Sequence, residues 1–476
     1  MRIYQDCTQS AKARAKDLLS IMTIKEKIGQ LYQNMHGWNA YKIQNNEVVL
    51  TKAFQKEVAY GDGLGAIYGI SRADGWNSHL TMGIHIKESI RVANAIQKYV
   101  IDNTRLGIPA FFSEECPHGH EALEATTFPT NIGVGSTWNP ELYERMCAVI
   151  RKELRARGGH LALISSLDIT TDPRWGRTEE CYSEDPYLSG TFCERAVWGI
   201  QGHSEEQLPE NAIAVLKHFC AQGATIGGHN GRATNIGQRE LHEIHLKGMR
   251  KGIKAGALGC MAAYNDIDGV PCHINKKLLT DILRNEMGFD MDLWNVSFQK
   301  LGDAVEHGFL NETDLDRAVE RILYAKFAMG LYEHPFIEED DAESVIGNEE
   351  AKQVALQMAR ESVVLLKNEK HILPLTPQYK KIAVIGPNAD NIYNQLGDYT
   401  AWQTEGKVTT ILRGILQHAS PDAEVSYAHG CGVRGKSKSE FDEAITLTRN
   451  SDVVLLVLGG SSTREAGMTF EDNGAV

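Results

Sequence analysis

Along this chain, short apolar runs that end abruptly in polar or charged residues alternate with longer stretches in which apolar residues recur every three or four positions. The strand-like runs fall at 65–69, 108–112, 161–168, 212–218 and 257–264, and helical periodicity fills 89–103, 140–156, 190–200 and 237–255. An amphipathic pattern over 15–31 predicts an opening helix. Continuous rather than alternating apolar runs suit strands buried on both faces. The repeat therefore predicts βα units and a mostly parallel sheet, either closed into a barrel or open and doubly wound.

After a helical pattern at 311–331 the character changes. The stretch Glu333-His334-Pro335-Phe336-Ile337-Glu338-Glu339-Asp340-Asp341 is acidic and contains proline, and both features oppose packing. It predicts a linker. Beyond it come a helical stretch at 349–366 and two apolar runs at 381–387 and 452–460, which read as buried strands of an α/β sandwich. The expected organisation is a (β/α) barrel over 1–335, a linker over 336–350 and a sandwich over 351–476. The chain stops at Val476 soon after a strand, which predicts a truncated second unit.

Composition narrows the partners. With 476 residues, of which 42% are hydrophobic, two cores can be buried. The net charge of -13, without any run of Lys or Arg, argues against nucleic acid or an anionic membrane, since either needs a basic surface to displace counterions. The 9 cysteines are odd in number and none forms a CxxC pair, so they read as buried thiols in a reducing compartment. No leader-like N-terminus and no run near the ~18 apolar residues of a membrane span is present, which makes the expected location cytoplasmic. Gly61-Asp62-Gly63-Leu64-Gly65 reads as a turn, and no phosphate cradle is recognisable, so no nucleotide cofactor is implied.

The chemistry gathers where the strand-like runs end: Ser113-Glu114-Glu115, Asp168, Lys217-His218 and Tyr264-Asn265-Asp266. In parallel α/β folds ligands bind at the carboxyl ends of strands, so these side chains are expected at one mouth. A lysine at the end of a buried run is costly unless paired or bound to ligand. Together Lys217 and His218 suit recognition of sugar hydroxyls, and a carboxylate such as Glu115 can accept from two vicinal hydroxyls. Asp185-Pro186 reads as a helix start. Glu114, Glu115, His118 and His120 raise the question of a metal, but the order is not HExxH and no second cluster has ligand spacing. His229, His242 and His245 read as solvated or structural.

DPRWGR at 172–177, SEDPYL at 183–188, KHF at 217–219, AYNDIDGVPCHIN at 263–275, LLTDILRNEMGF at 278–289, ARESVVLLKN at 359–368 and IAVIGPNAD at 382–390 occur in this order. In that order the chain resembles glycoside hydrolase family 3. The resemblance implies a (β/α)8 TIM-like barrel followed by an α/β sandwich, and an exo-acting, retaining β-glycosidase that removes terminal β-D-glucose from short oligosaccharides. It carries substrate binding onto Glu115, Arg177, Lys217, His218 and Tyr264. The first of these is more commonly Asp in β-glucosidases, and Glu also occurs in β-xylosidase-like members, so xylosides are the alternative. The KHFPGHG-like continuation of the N-acetylglucosaminidase branch is replaced by Lys217-His218-Phe219-Cys220-Ala221-Gln222-Gly223.

The resemblance also implies two catalytic carboxyls that no residue of this sequence fills with assurance. The nucleophile strand is expected directly after Phe289, where Asp290-Met291-Asp292-Leu293-Trp294 follows at once and resembles the next strand, leaving Asp290 and Asp292 poor candidates. The acid/base is expected after Val476, with Glu465 and Glu471 as weak stand-ins. A catalytically inactive sugar-binding relative is therefore the reading from a different class. The expected partner is a small oligosaccharide or β-glycoside, without metal or cofactor, and self-association into a homo-oligomer is compatible with the sequence.

Overall fold

The computed structural model describes residues 2–74, 83–290, 292–294, 301–338, 342–403, 406–433 and 436–461. Its principal sheet runs β1 (Ala66–Tyr68), β2 (Phe111–Glu115), β3 (Leu161–Ser166), β4 (Ile213–Phe219), β5 (Gly259–Ala262) and β6 (Asp292–Trp294), side by side in sequence order. Every neighbouring pair is parallel. After α1 (Ala11–Leu19), the crossovers are α2 (Ile86–Asp102), α3 (Pro140–Ala156), α4 (Pro186–Gln201), α5 (Lys247–Lys254) and α6 (Lys277–Glu286), and α7 (Glu312–Ala328) follows β6. This is the barrel type of α/β fold, with six of its strands among the described residues.

Each helix is placed by its apolar stripe. Along α3, Leu142, Met146, Ile150 and Leu154 are buried against Phe192, Val197 and Ile200 of α4 and Ile164 and Leu216 of the sheet. Full burial of one such side chain is worth roughly 1.5–3 kcal/mol, so the four α3 positions together contribute several kcal/mol. Asp185 starts α4 by accepting from the Tyr187 amide at 2.7 Å, with Pro186 in the first turn. On the opposite face of the sheet Phe111, Leu161, Ile213 and Val215 pack with Ile322 and Ala325 of α7. Side chains alternate along a strand, so Glu115 shares the face of Phe111, and Lys217 that of Ile213 and Val215, one layer nearer the carboxyl ends.

A smaller parallel sheet lies in the second region, with β7 (Lys381–Ile385) between β8 (Glu424–Ala428) and β9 (Val453–Leu456). Helices α9 (Ile411–His418) and α10 (Phe441–Arg449) accompany it. Between the two sheets runs α8 (Glu349–Ser362), whose Ala351, Val354 and Met358 are buried in the same core as α3.

Several elements differ from the sequence expectation. The opening helix over 15–31 is two helices, because Thr23 caps a fresh start: its hydroxyl accepts from the Glu26 amide (3.3 Å) while Glu26 accepts from the Thr23 amide (2.8 Å). The strand expected at 108–112 begins at Phe111, since Pro109 has no amide proton and both backbone groups of Ala110 are taken by the Gln97 side chain, at 2.8 and 3.0 Å. Helix α8 stops at Ser362, and the β-branched Val363 and Val364 continue extended and exposed. The stretch expected to link is tied down where it is described. The Ile337 backbone exchanges two hydrogen bonds with the Asn94 side chain, both 2.9 Å, and Ala342 and Ile346 pack on Ile86 and Ile90 of α2.

Candidate active site

The carboxyl ends of β1, β2, β3 and β4 deliver a connected polar cluster. Tyr68 donates from its hydroxyl to Glu115 Oε1 at 2.9 Å, and Lys217 donates from Nζ to Glu115 Oε2 at 2.8 Å. The same ammonium stands 3.7 Å from Glu180. Arg177 grips Glu180 through two bonds (2.5 and 2.9 Å) and donates to His218 Nε2 at 3.0 Å. Since a guanidinium only donates, His218 Nε2 is an acceptor. Its proton therefore sits on Nδ1, directed at Asp168 Oδ2 2.9 Å away. Asp168 is fixed in turn by the Gly223 amide at 3.0 Å.

Glu115, Glu180, Lys217, His218 and Arg177 are all buried, and the charges keep one another ionised. Burial opposes the charged form of Glu115, but Lys217 and Arg72 outweigh it and hold the carboxyl below its usual range. Burial is likewise overcome at Glu180, where Arg177 and Lys217 bring it down to about 2. At Lys217 burial works against the ammonium, and Glu115 reverses the shift upward. Burial, reinforced by the Arg177 charge, lowers the His218 imidazole against the opposing pull of Asp168, so it stands neutral. The result is a rigid array of donors and acceptors whose free lone pairs and protons suit hydroxyl groups.

Of the residues expected at the mouth, Glu115, Arg177, Lys217 and His218 are in direct contact. Tyr264 joins them at the rim, 54% exposed, with its ring 5.5 Å from that of His218 and 5.9 Å from the Arg177 guanidinium. The neighbouring Arg174 points to solvent and pairs with Asp172 at 2.6 Å, and Trp175 is buried with its Nε1 directed at Asn230. Asp290 turns outward and pairs with Arg321 at 2.6 Å, its side chain 90% exposed. The side chain of Asp292 and the whole of Glu465 and Glu471 lie outside the described residues. On the backbone, Asp292 opens β6, which pairs straight onto β5 with α6 as their crossover. His242 pairs with Glu286, and His229 lies on a loop away from any metal-like grouping among the described residues.

Sequence reasoning missed Tyr68, Arg72, Glu180 and Tyr399. Tyr68 closes an apolar run and so obeyed the strand-end rule used for the others. Arg72 is clamped by Asp74 (2.8 and 2.7 Å) and Glu121 (3.3 Å) and stands 4.0 Å from Glu115. Glu180 lies three residues after Arg177, a spacing at which ion pairs form. Tyr399 comes from the second region and no local signal pointed to it.

Known proteins resemble this chain over most of its length. The description "Glycosyl hydrolase family 3 N terminal domain" matches residues 23–293, and "Glycosyl hydrolase family 3 C-terminal domain" matches 363–473. The chain belongs to glycosyl hydrolase family 3. Among its family 3 relatives, a β-xylosidase of Formosa agariphila is 33% identical over 418 residues, 75% of this chain and 58% of that protein. A periplasmic β-glucosidase of Salmonella typhimurium is 27% identical, covering 97% and 64%. A β-glucosidase structure from Erythrobacter marinus superposes with a TM-score of 0.86 at 30% identity, covering 99% of this chain and 68% of that one. The Listeria innocua β-glucosidase, solved in complex with glucose, gives 0.81 at 28%, covering 96% and 65%. The chain thus spans about three fifths of the length of the curated relatives it matches.

Asp168 holds His218 through its Nδ1, and the effect of changing it is predictable. Asp168→Asn offers an amide that can still accept at one atom, while the buried bond from His218 changes from charged to neutral. A loss of about 1–3 kcal/mol in unfolding free energy is expected, read from urea denaturation at neutral pH.

Proposed function

We propose that this protein is an exo-acting β-glycosidase of the retaining type that takes a single non-reducing terminal β-D-glucosyl unit into the cluster at the strand ends. The observation that carries the reading is the buried contact of Glu115, Lys217, Arg177 and His218, with Tyr264 at the rim. Glu115 accepts from sugar hydroxyls, while Lys217 and Arg177 donate to them. Family membership and the named activities of the relatives support it. Retaining hydrolysis needs two carboxyl groups about 5–5.5 Å apart. In this reading the cluster at the strand ends supplies the binding array that sets the sugar between those two carboxyls.

A second reading, β-D-xyloside hydrolysis, is supported by the β-xylosidase of Formosa agariphila, which is 33% identical to this chain. The test is turnover of p-nitrophenyl β-D-glucoside and β-D-xyloside, run beside calorimetric titration with D-glucose and D-xylose. Glucoside cleavage above xyloside cleavage is the expected result. Xyloside preference replaces glucose by xylose, and binding without turnover makes the chain a sugar-binding relative.

A further inference from the structure

The first unit does not complete the cluster by itself. Tyr399, from the second region, lies against it: the Lys217 ammonium sits 4.6 Å from the centre of the Tyr399 ring, the Arg72 guanidinium 5.6 Å away, and Arg177 donates to the Tyr399 hydroxyl at 3.3 Å. Three cations thus converge on one aromatic side chain. A tyrosine ring presents a negative face to a cation, and this attraction is strongest where water is excluded. Lys217 is 2% exposed.

The backbone around Tyr399 is held by the first unit. The Asp398 amide donates to Glu179 Oε1 at 2.9 Å, the Asp398 carbonyl contacts His118 Nε2 at 2.6 Å, and the Trp402 amide donates to the Ala73 carbonyl at 3.2 Å. Between these ties Tyr399 adopts φ 54°, a left-handed conformation that a bulky residue takes only when its surroundings impose it. Strain of this kind at a ligand site fits a side chain placed for a purpose.

We propose that Tyr399 is a positioning residue of the sugar site, acting through Lys217. Its ring covers the ammonium, keeps water from it and leaves its protons directed at Glu115 and at the ligand, while its hydroxyl steadies Arg177. The proposal rests on the reading of this cluster as a sugar site, and adds that the second region contributes to ligand affinity through a named contact.

The experiment is calorimetric titration of the full chain with D-glucose and D-xylose for the parent, Tyr399→Phe and Tyr399→Ala, with thermal unfolding of each. Phenylalanine keeps the ring over Lys217 and loses the hydroxyl that accepts from Arg177, so affinity within about threefold of the parent is expected; alanine removes the ring, and affinity about tenfold weaker is expected at a similar melting temperature. A third variant, Tyr399→Leu, fills much of the same space without an aromatic face over Lys217: weakening like that of alanine is expected, whereas parent-like binding by leucine would show mere packing and overturn the proposal. Parent-like binding by Tyr399→Ala overturns the proposal and leaves the sugar site standing. Equal weakening by Phe and Ala also overturns it, because the effect then belongs to the hydroxyl and Arg177. If the parent binds neither sugar, the underlying reading falls and the proposal with it.

Discussion

Lys217→Met is expected to be the most damaging single change in the molecule. Methionine matches the length of the side chain, so packing is nearly kept, but Glu115 and Glu180 lose an ammonium at 2.8 and 3.7 Å while remaining buried. Removing one partner of a buried ion pair costs about 3–5 kcal/mol, because the surviving charge cannot return to water. For a large domain this corresponds to a fall in melting temperature of about 10 °C, together with loss of sugar binding. Thermal unfolding checks the first part. Adding Glu115→Gln to the same chain removes one stranded charge and should recover part of the loss, and a single variant that melts within about 2 °C of the parent would show that the pair is not what holds the sheet ends together.

The opposite sign is expected at Glu114. Burial pushes the Glu114 carboxyl up from 4.5 to about 7, against the Ser71 and Ile70 amides that favour its ionised form. His120 stands 4.0 Å away, held neutral by its own burial and by Arg157, with neither ring nitrogen paired. Because the folded-state value is raised, the folded protein holds a proton that the unfolded chain releases. The stabilising contribution is complete below the unfolded value of 4.5 and is lost as pH rises through about 7. From mildly acidic to alkaline solution this group alone should cost about 3 kcal/mol. Glu114→Gln keeps an acceptor for the Ser71 amide and cannot ionise. It is therefore expected to match the parent near pH 5 and to exceed it by up to about 3 kcal/mol at pH 8, measured by urea unfolding across that range. Parallel pH profiles for the two proteins would contradict the assignment.

Glu114 and Glu115 are neighbours in sequence with opposite environments, and the sequence could place both at the mouth but not tell them apart. Strand alternation sends them to different faces. Glu115 meets two cations, whereas Glu114 meets amides and a neutral histidine. Much else was legible for equally physical reasons. The apolar runs, the polar residues at their ends and the Asp-Pro start of α4 are local signals, and the structure forms strands or a helix at each. Partners arriving from distant segments were not legible. Gln97 occupying both backbone groups of Ala110 moved the start of β2, and Tyr399 reaches Lys217 from 182 positions further along the chain. Such contacts exist only once the chain has folded.

The placement of α8 has a consequence for how the molecule comes apart. Its Ala351, Val354 and Met358 complete the core shared with α3, Glu361 accepts from the Asn139 side chain that also starts α3, and the chain leaves that core only at Val363, where the match to the C-terminal domain begins. A fragment cut at the acidic stretch would carry away the outer wall of the first unit along with the second. The natural seam for separating, swapping or fusing the two units lies at the end of α8, and a module intended to keep the first sheet intact has to include that helix.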